Sequence, residues 1–384
     1  MRIAIDYTPA TVSRHGIGRY TRSLVEAVLR LDGTDEIVLF SAERPHESDA
    51  LPAGPNVCTR VFPVGQRVMT ILWDRARVPL PLELLVGGAD VVHGPAFAPP
   101  PSLSMRRIAT VHDVAYLTIP DFIAPKFVAY QQSLLPRTIK RMDHVITDSQ
   151  CTAEDVISLL GVPREKVTAI PLGVDASFAR VRDEECLTAF DAQHGLTHPL
   201  VLAVGIMERR KRYDALVRAF AAARTAEGGP KMLAIAGSKG WGAEETLQAV
   251  RECGAEDAVK FLDYVPDADL ATLYSTADVL AMPARYEGFG LPVVEAMACG
   301  TPVVCSGTGS LPEVVGDAGL VVDVQVEGAL ADALVRATSD AALRETLARR
   351  GVERAATFTW ERTARQTLEV YRDVGGRSRH NGNA

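Results

Sequence analysis

Short, largely apolar runs recur along the chain, each closed by Gly, Pro, Asp or His and each followed by a stretch of helical spacing. Runs of this length and composition read as strands covered on both faces. Residues 2–7, 36–40, 57–62 and 144–147 are of this kind, and so are Arg107-Ile-Ala-Thr-Val-His-Asp113, Leu200-Val-Leu-Ala-Val-Gly205 and Ala277-Asp-Val-Leu-Ala-Met-Pro283. Strand and helix alternating in this way predict an α/β protein with parallel, doubly wound sheets. At 384 residues the chain exceeds one ordinary core, so two such Rossmann-like domains are expected.

Open sheets of this class take ligands at the carboxyl ends of their strands. Residues 285–305 begin at such an end and read as loop, helix, strand. Gly288 and Gly290 let backbone N–H groups approach a ligand, Phe289 and Leu291 lie between and after them, and Pro292 suits a first helical turn. That is the makeup of an anion seat at a helix N-terminus. Glu287 in the loop and Glu295 in the helix add carboxylates, which accept well from the hydroxyls of sugars and ribose. Alone, the stretch also reads as a glycine-rich turn with solvated glutamates.

Other loops carry comparable signals. Ser13-Arg-His-Gly-Ile-Gly-Arg-Tyr-Thr21 links a strand to a helix with Leu24, Val25, Val28 and Leu29 at helical spacing. It lacks the third glycine of a complete G-x-G-x-x-G, so a turn needed only for packing explains it equally well. His93 and His112 both close strands; an isolated histidine there is more often structural, and His93 keeps that reading. Met207-Glu-Arg-Arg-Lys-Arg212 puts cations at the entry to another helix, a pattern that also suits a solvated basic turn. Residues 125–141 combine Lys126, Arg137, Lys140 and Arg141 with Phe127, Val128, Leu134 and Leu135. Such a helix can lie on an anionic membrane surface, or can simply present a solvated face.

Glu287-Gly-Phe-Gly-Leu-Pro-Val-Val-Glu295 resembles the signature of the retaining family 4 glycosyltransferases, which have the two-domain GT-B fold. The resemblance implies two Rossmann-like domains facing a central cleft: residues 1–172 on the acceptor side, a linker over 173–198, and a domain for the nucleotide-sugar donor over 199–357. A helix over 358–374 would cross back to the first domain, leaving a frayed tail at 375–384. It further implies that Glu287 holds the sugar's hydroxyls, that Glu295 holds the ribose, and that Gly288, Phe289, Gly290 and Leu291 meet diphosphate and sugar. Gly16 would lie against the diphosphate and His112 beside the transferred sugar. Arg210 and Lys211 would neutralise the leaving diphosphate, although Ile206 stands where a common family form has arginine, leaving open whether Arg209 or Arg210 supplies that charge. Val265, in Tyr264-Val-Pro-Asp267, matches the turn that meets the nucleobase, and Glu313 matches a structural position.

The expected activity is metal-independent hexosyl transfer with retention, from a GDP- or UDP-sugar to a hydroxyl of a glycan or lipid-linked glycan. Mannose is the first expectation and glucose the second. Alternatives on the same fold are a nucleotide-sugar 2-epimerase, a sugar phosphorylase or a noncatalytic sensor. No Asp-x-Asp pair near the motif suggests a metal, and no cofactor is expected. A net charge of −7 argues against nucleic acid. Six scattered cysteines without C-x-x-C read as reduced and mostly buried, and Met1-Arg-Ile-Ala-Ile-Asp6 meets a charge before a signal-peptide core could form. These features predict a cytoplasmic protein, with peripheral contact at the membrane's inner face carried by residues 125–141.

Overall fold

The computed structural model describes residues 1–13, 16–31, 33–44, 51–62, 65, 68–69, 71–75, 78, 80–97 and 99–376. Contacts divide the chain into two compact units. The first comprises Met1–Val114, Ala129–Gly173 and the chain from Trp360, and the second comprises Ala115–Val128 and Val174–Thr359.

The first unit is built on β1 (Arg2–Asp6), β2 (Glu36–Ser41), β3 (Val57–Val61), β4 (Val91–Gly94), β5 (Arg106–Val111), β6 (His144–Thr147) and β7 (Val167–Ala169). Its order is β3-β2-β1-β4-β5-β6-β7, every pairing parallel. Strand order reverses between β1 and β4, so the loops after those strands diverge and leave a crevice at their carboxyl ends. After β1 the chain enters helix Ile17–Leu31, which buries Tyr20, Leu24, Val25 and Val28. Gly18 is demanded by packing there, since a Cβ would stand 1.9 Å from the Ser13 carbonyl oxygen. Gly16 differs: its φ is +52° and nothing lies within 4 Å of where a Cβ would be.

The second unit is built on β8 (Leu200–Val204), β9 (Met232–Ala236), β10 (Val259–Asp263), β11 (Val279–Met282), β12 (Val303–Ser306) and β13 (Gly319–Val322). Its order is β10-β9-β8-β11-β12-β13, again all parallel. All residues of β9, β11 and β12 are buried, which is why these strands read as continuous apolar runs. The reversal falls between β8 and β11. The basic turn follows one of those strands and the Glu287 loop follows the other.

Three features of the structure lay outside the sequence reading. Strand β13 is only four residues long and was not distinguished from the loop around it. Residues 173–198, read as a plain linker, contain helix Glu184–His194, capped by the Asp183 side chain and burying only Phe190. Residues Ala115–Val128 cluster with the second unit although they follow β5 of the first. Arg209 explains part of this, since its guanidinium lies 5.6 Å from the Phe122 ring centroid and donates to the Asp121 carbonyl at 3.0 Å.

The basic helix extends over Pro125–Ile139, with Pro136 inside it, and the final helix over Trp360–Gly375. The tail beyond Gly376 lies outside the described residues. All six cysteines are free, but only Cys299 and Cys305 are buried, and Cys186 is exposed. Among the described residues no helix is long and apolar enough to cross a membrane.

Candidate active site

In the second unit β8 delivers the chain to a short 3-10 turn, Arg209–Lys211, and β11 delivers it to the Glu287 loop. The Arg285 amide donates to the Arg210 carbonyl at 2.7 Å, which joins the two loops at the backbone. Lys211 Nζ stands 2.5 Å from Glu287 Oε1, and an Arg210 guanidinium nitrogen stands 3.0 Å from the same oxygen. Burial opposes the charge on Glu287, yet Arg210 and Lys211 hold its carboxyl below the usual range. Arg210 also pairs with Glu208 at 2.9 Å, so two cations and two carboxylates share the turn.

Arg209 faces elsewhere. It pairs with Glu245 at 2.9 Å and lies over the rings of Phe122 and Trp241. Arg210 is therefore the arginine directed at Glu287, and Ile206 is 46% exposed.

Gly290 is the N-cap of helix Leu291–Ala298, with φ at +96° and no side chain capping the helix. The first N–H groups are thus left to a ligand or solvent. The Phe289 ring is buried against Phe358, centroids 5.6 Å apart, so Phe289 offers a ligand its backbone. Ser310 fixes the loop by donating from its amide and hydroxyl to the Glu287 carbonyl, at 3.0 and 2.9 Å. Glu295 is separate from the cation cluster: it is 2% exposed and its Oε2 accepts from the Tyr274 hydroxyl at 2.7 Å. Val265 is buried just beyond β10, while Asp267 begins helix Asp267–Thr276 and is exposed.

In the first unit His112 follows β5. Its Nδ1 lies 2.7 Å from Asp148 Oδ2 and its Nε2 lies 2.7 Å from the Pro95 carbonyl oxygen. Both partners are acceptors, so both ring nitrogens must donate. Burial alone would lower the pKa of His112, but Asp148 and the Pro95 carbonyl outweigh it and raise it. The ring is accordingly an imidazolium, where the sequence suggested a neutral group that donates and accepts. Behind it Tyr20 presents an edge at 4.8 Å and bonds Thr110, which bonds His93, which bonds Tyr371. Burial pushes His93 down to about 3, so it stays neutral, and its bonds to Thr110 and Tyr371 give it a structural role.

The sequence left Asp148, Tyr274 and Ser310 unassigned. Asp148 follows β6, and a carboxylate at a strand's carboxyl end is a signal that could have marked it. Tyr274 lies inside a helix and gives no such signal. Among the described residues, no group of three or more His, Cys, Asp or Glu is placed to hold a metal ion.

Residues 188–354 match the family described as Glycosyl transferases group 1, and residues 14–178 match Glycosyltransferase Family 4. The chain is 30% identical to O-antigen chain mannosyltransferase B of Escherichia coli, over 97% of this chain and 100% of that one. It is 35% identical to a D-inositol 3-phosphate glycosyltransferase of Actinosynnema mirum, over 62% of this chain and 60% of that one. Among solved structures, sucrose-phosphate synthase from Thermosynechococcus elongatus superposes with a TM-score of 0.77, at 24% identity over 98% of this chain and 100% of that one. HepE from Anabaena, solved in complex with UDP and glucose, gives 0.73 at 18% identity, over 96% of this chain and 99% of that one.

Proposed function

The chain belongs to the GT-B glycosyltransferases of group 1 and family 4, and from that premise we propose that it transfers mannose from GDP-mannose to a hydroxyl of a glycan or lipid-linked glycan, with retention and without a metal. The observation that carries the reading is the meeting of Arg210 and Lys211 at Glu287, between loops that flank the strand reversal. Lys211 has three N–H donors and Arg210 five, so holding one carboxylate oxygen leaves others for diphosphate oxygens. The uncapped N-terminus of helix Leu291–Ala298 adds backbone N–H groups. Positive potential fixed before the substrate arrives costs no reorganisation when the glycosidic bond breaks.

In the reaction proposed, the bond from the anomeric carbon to the diphosphate breaks and a bond to the acceptor oxygen forms on the same face. The acceptor's proton passes to the departing diphosphate. The sugar's identity is supported by the whole-length likeness to an O-antigen mannosyltransferase. GDP is the expected nucleotide because Asp267, two residues past Val265, can accept from two N–H groups on guanine's edge, which uracil lacks.

A panel of GDP- and UDP-sugars, read by release of nucleoside diphosphate with and without EDTA, tests this. GDP-mannose should turn over above the buffer rate, and EDTA should leave that rate unchanged. Release only from a UDP-sugar would overturn the assignment of sugar and base, and loss of release in EDTA would overturn the metal-free mechanism.

A further inference from the structure

The first unit encloses a cavity of about 520 Å³ lined only by its own residues. The cavity runs along one face of the sheet. At the carboxyl edge it is lined by Asp6 and Phe97, and at the amino edge by Arg107 and Met142. Phe40, Phe62, Trp73 and Pro99 form much of its wall, and helix Pro125–Ile139 closes it with Gln131, Leu134 and Leu135. Mostly apolar walls with a few converging polar groups are the usual makeup of a small-molecule site.

Two polar features point to a ligand. Gln131 is 2% exposed, and its Oε1 accepts no hydrogen bond from the protein. A buried amide oxygen in that state is destabilising unless a bound donor reaches it. Further along the same helix, Arg137 and Arg141 line the cavity and are exposed, and neither pairs with a carboxylate among the described residues. Arg107 donates to the Arg141 carbonyl at 2.7 Å and so fixes that end of the helix. At 1.5 Å of rise per residue, Arg137 lies about 9 Å beyond Gln131 along the helix.

An apolar chain alone would leave the Gln131 oxygen unpartnered, and a lone phosphate would leave the aromatic walls uncovered. We infer that this cavity binds a saccharide bearing a phosphate. Sugar hydroxyls donate to Gln131, the apolar faces of the rings pack on Phe62 and Trp73, and the phosphate lies on Arg137 and Arg141. Resting on the glycosyl-transfer reading, this ligand is the acceptor, with its sugar end toward the strand edge that carries His112. A free glycosyl phosphate and the headgroup of a lipid-linked glycan share this chemistry.

Calorimetry on the full chain tests the inference with mannobiose 1-phosphate, mannobiose and inorganic phosphate as probes. Mannobiose 1-phosphate should bind at least about tenfold more tightly than mannobiose, because charge-assisted contacts are the stronger kind, and inorganic phosphate should bind weakest. Gln131→Leu should weaken both saccharides alike, by about tenfold. The double variant Arg137→Ala/Arg141→Ala should bring the phosphorylated saccharide down to the affinity of mannobiose. Co-sedimentation with neutral vesicles carrying phytanyl-diphosphate-linked mannobiose identifies the source: tighter binding there than to the free phosphate assigns the lipid-linked form. Equal binding assigns the free form, and either result keeps the site. GDP titration of each variant should match wild type, which reports an intact second unit and keeps failure of the nucleotide-sugar reading separate from failure of this one. Wild-type affinity for mannobiose 1-phosphate in both the Gln131 and the double-arginine variants would overturn the inference.

Discussion

Glu287 takes part in the charge balance of its two cations as well as in any contact with substrate. Removing its carboxylate leaves Arg210 and Lys211 without the oxygen they share, so the local potential becomes more positive. Glu287→Ala should therefore hold GDP at least as tightly as wild type while turnover collapses, since contacts made mainly in the transition state show in rate. Glu295 lies apart, bonded to Tyr274, in the position that family resemblance gives to the ribose. Glu295→Ala should weaken GDP by about one to two orders of magnitude, at roughly 1.5–3 kcal/mol per charge-assisted bond. It also strands the buried Tyr274 hydroxyl, so Tyr274→Phe belongs beside it in the same titration. If Tyr274→Phe with intact Glu295 loses as much GDP affinity, the effect is positional and the ribose assignment fails.

Helix Glu184–His194 is tied to the second sheet by one histidine. His198 Nδ1 meets Asp278 at 2.8 Å and its Nε2 meets Asp191 at 3.0 Å. The bond to Asp278, opposed by partial burial and aided by Asp191, raises its pKa from 6.5 to about 9. A raised folded-state pKa stabilises fully below the unfolded value and fades as pH rises through the folded one. The melting temperature of wild type should thus exceed that of His198→Gln most near about pH 6, and the gap should close by about pH 10. A gap independent of pH would contradict the charged bridge. The helix after β1 has a different control, since a Cβ at Gly18 would meet the Ser13 and Pro9 carbonyl oxygens at 1.9 and 2.7 Å. Gly18→Ala should lower the melting temperature clearly more than Gly16→Ala, whose cost is limited to a left-handed φ of about 1–2 kcal/mol. The reverse order would show that the loop around Gly16 is packed in solution.

Across the molecule, what repeats was legible and what depends on single contacts was not. Buried parallel strands need apolar residues on both faces, so β8, β9, β11 and β12 stood out in the sequence, whereas β13, with Val321 43% exposed, did not. Helix Glu184–His194 buries one side chain and therefore shows almost no apolar stripe. The approach of Arg210 and Lys211 to Glu287 joins residues some 76 positions apart; motif resemblance could name the residues, but the charge sharing is a product of the fold. His112 shows the same limit, because its protonation is decided by Asp148 and the Pro95 carbonyl, and strand spacing alone does not reveal either. Both sheets put their chemistry-bearing loops where strand order reverses, and the account's central claim is that the second such place handles a sugar diphosphate. Proton NMR of the protein with GDP-α-mannose tests it most directly, following GDP and the newly formed anomeric proton before mutarotation, with Lys211→Ala as the paired sample. The account predicts GDP with an α-configured product from wild type and at least a hundredfold slower reaction from the variant, a loss about the size of one electrostatic contact to a leaving group. A β-configured product, or full activity without the Lys211 ammonium, would contradict it.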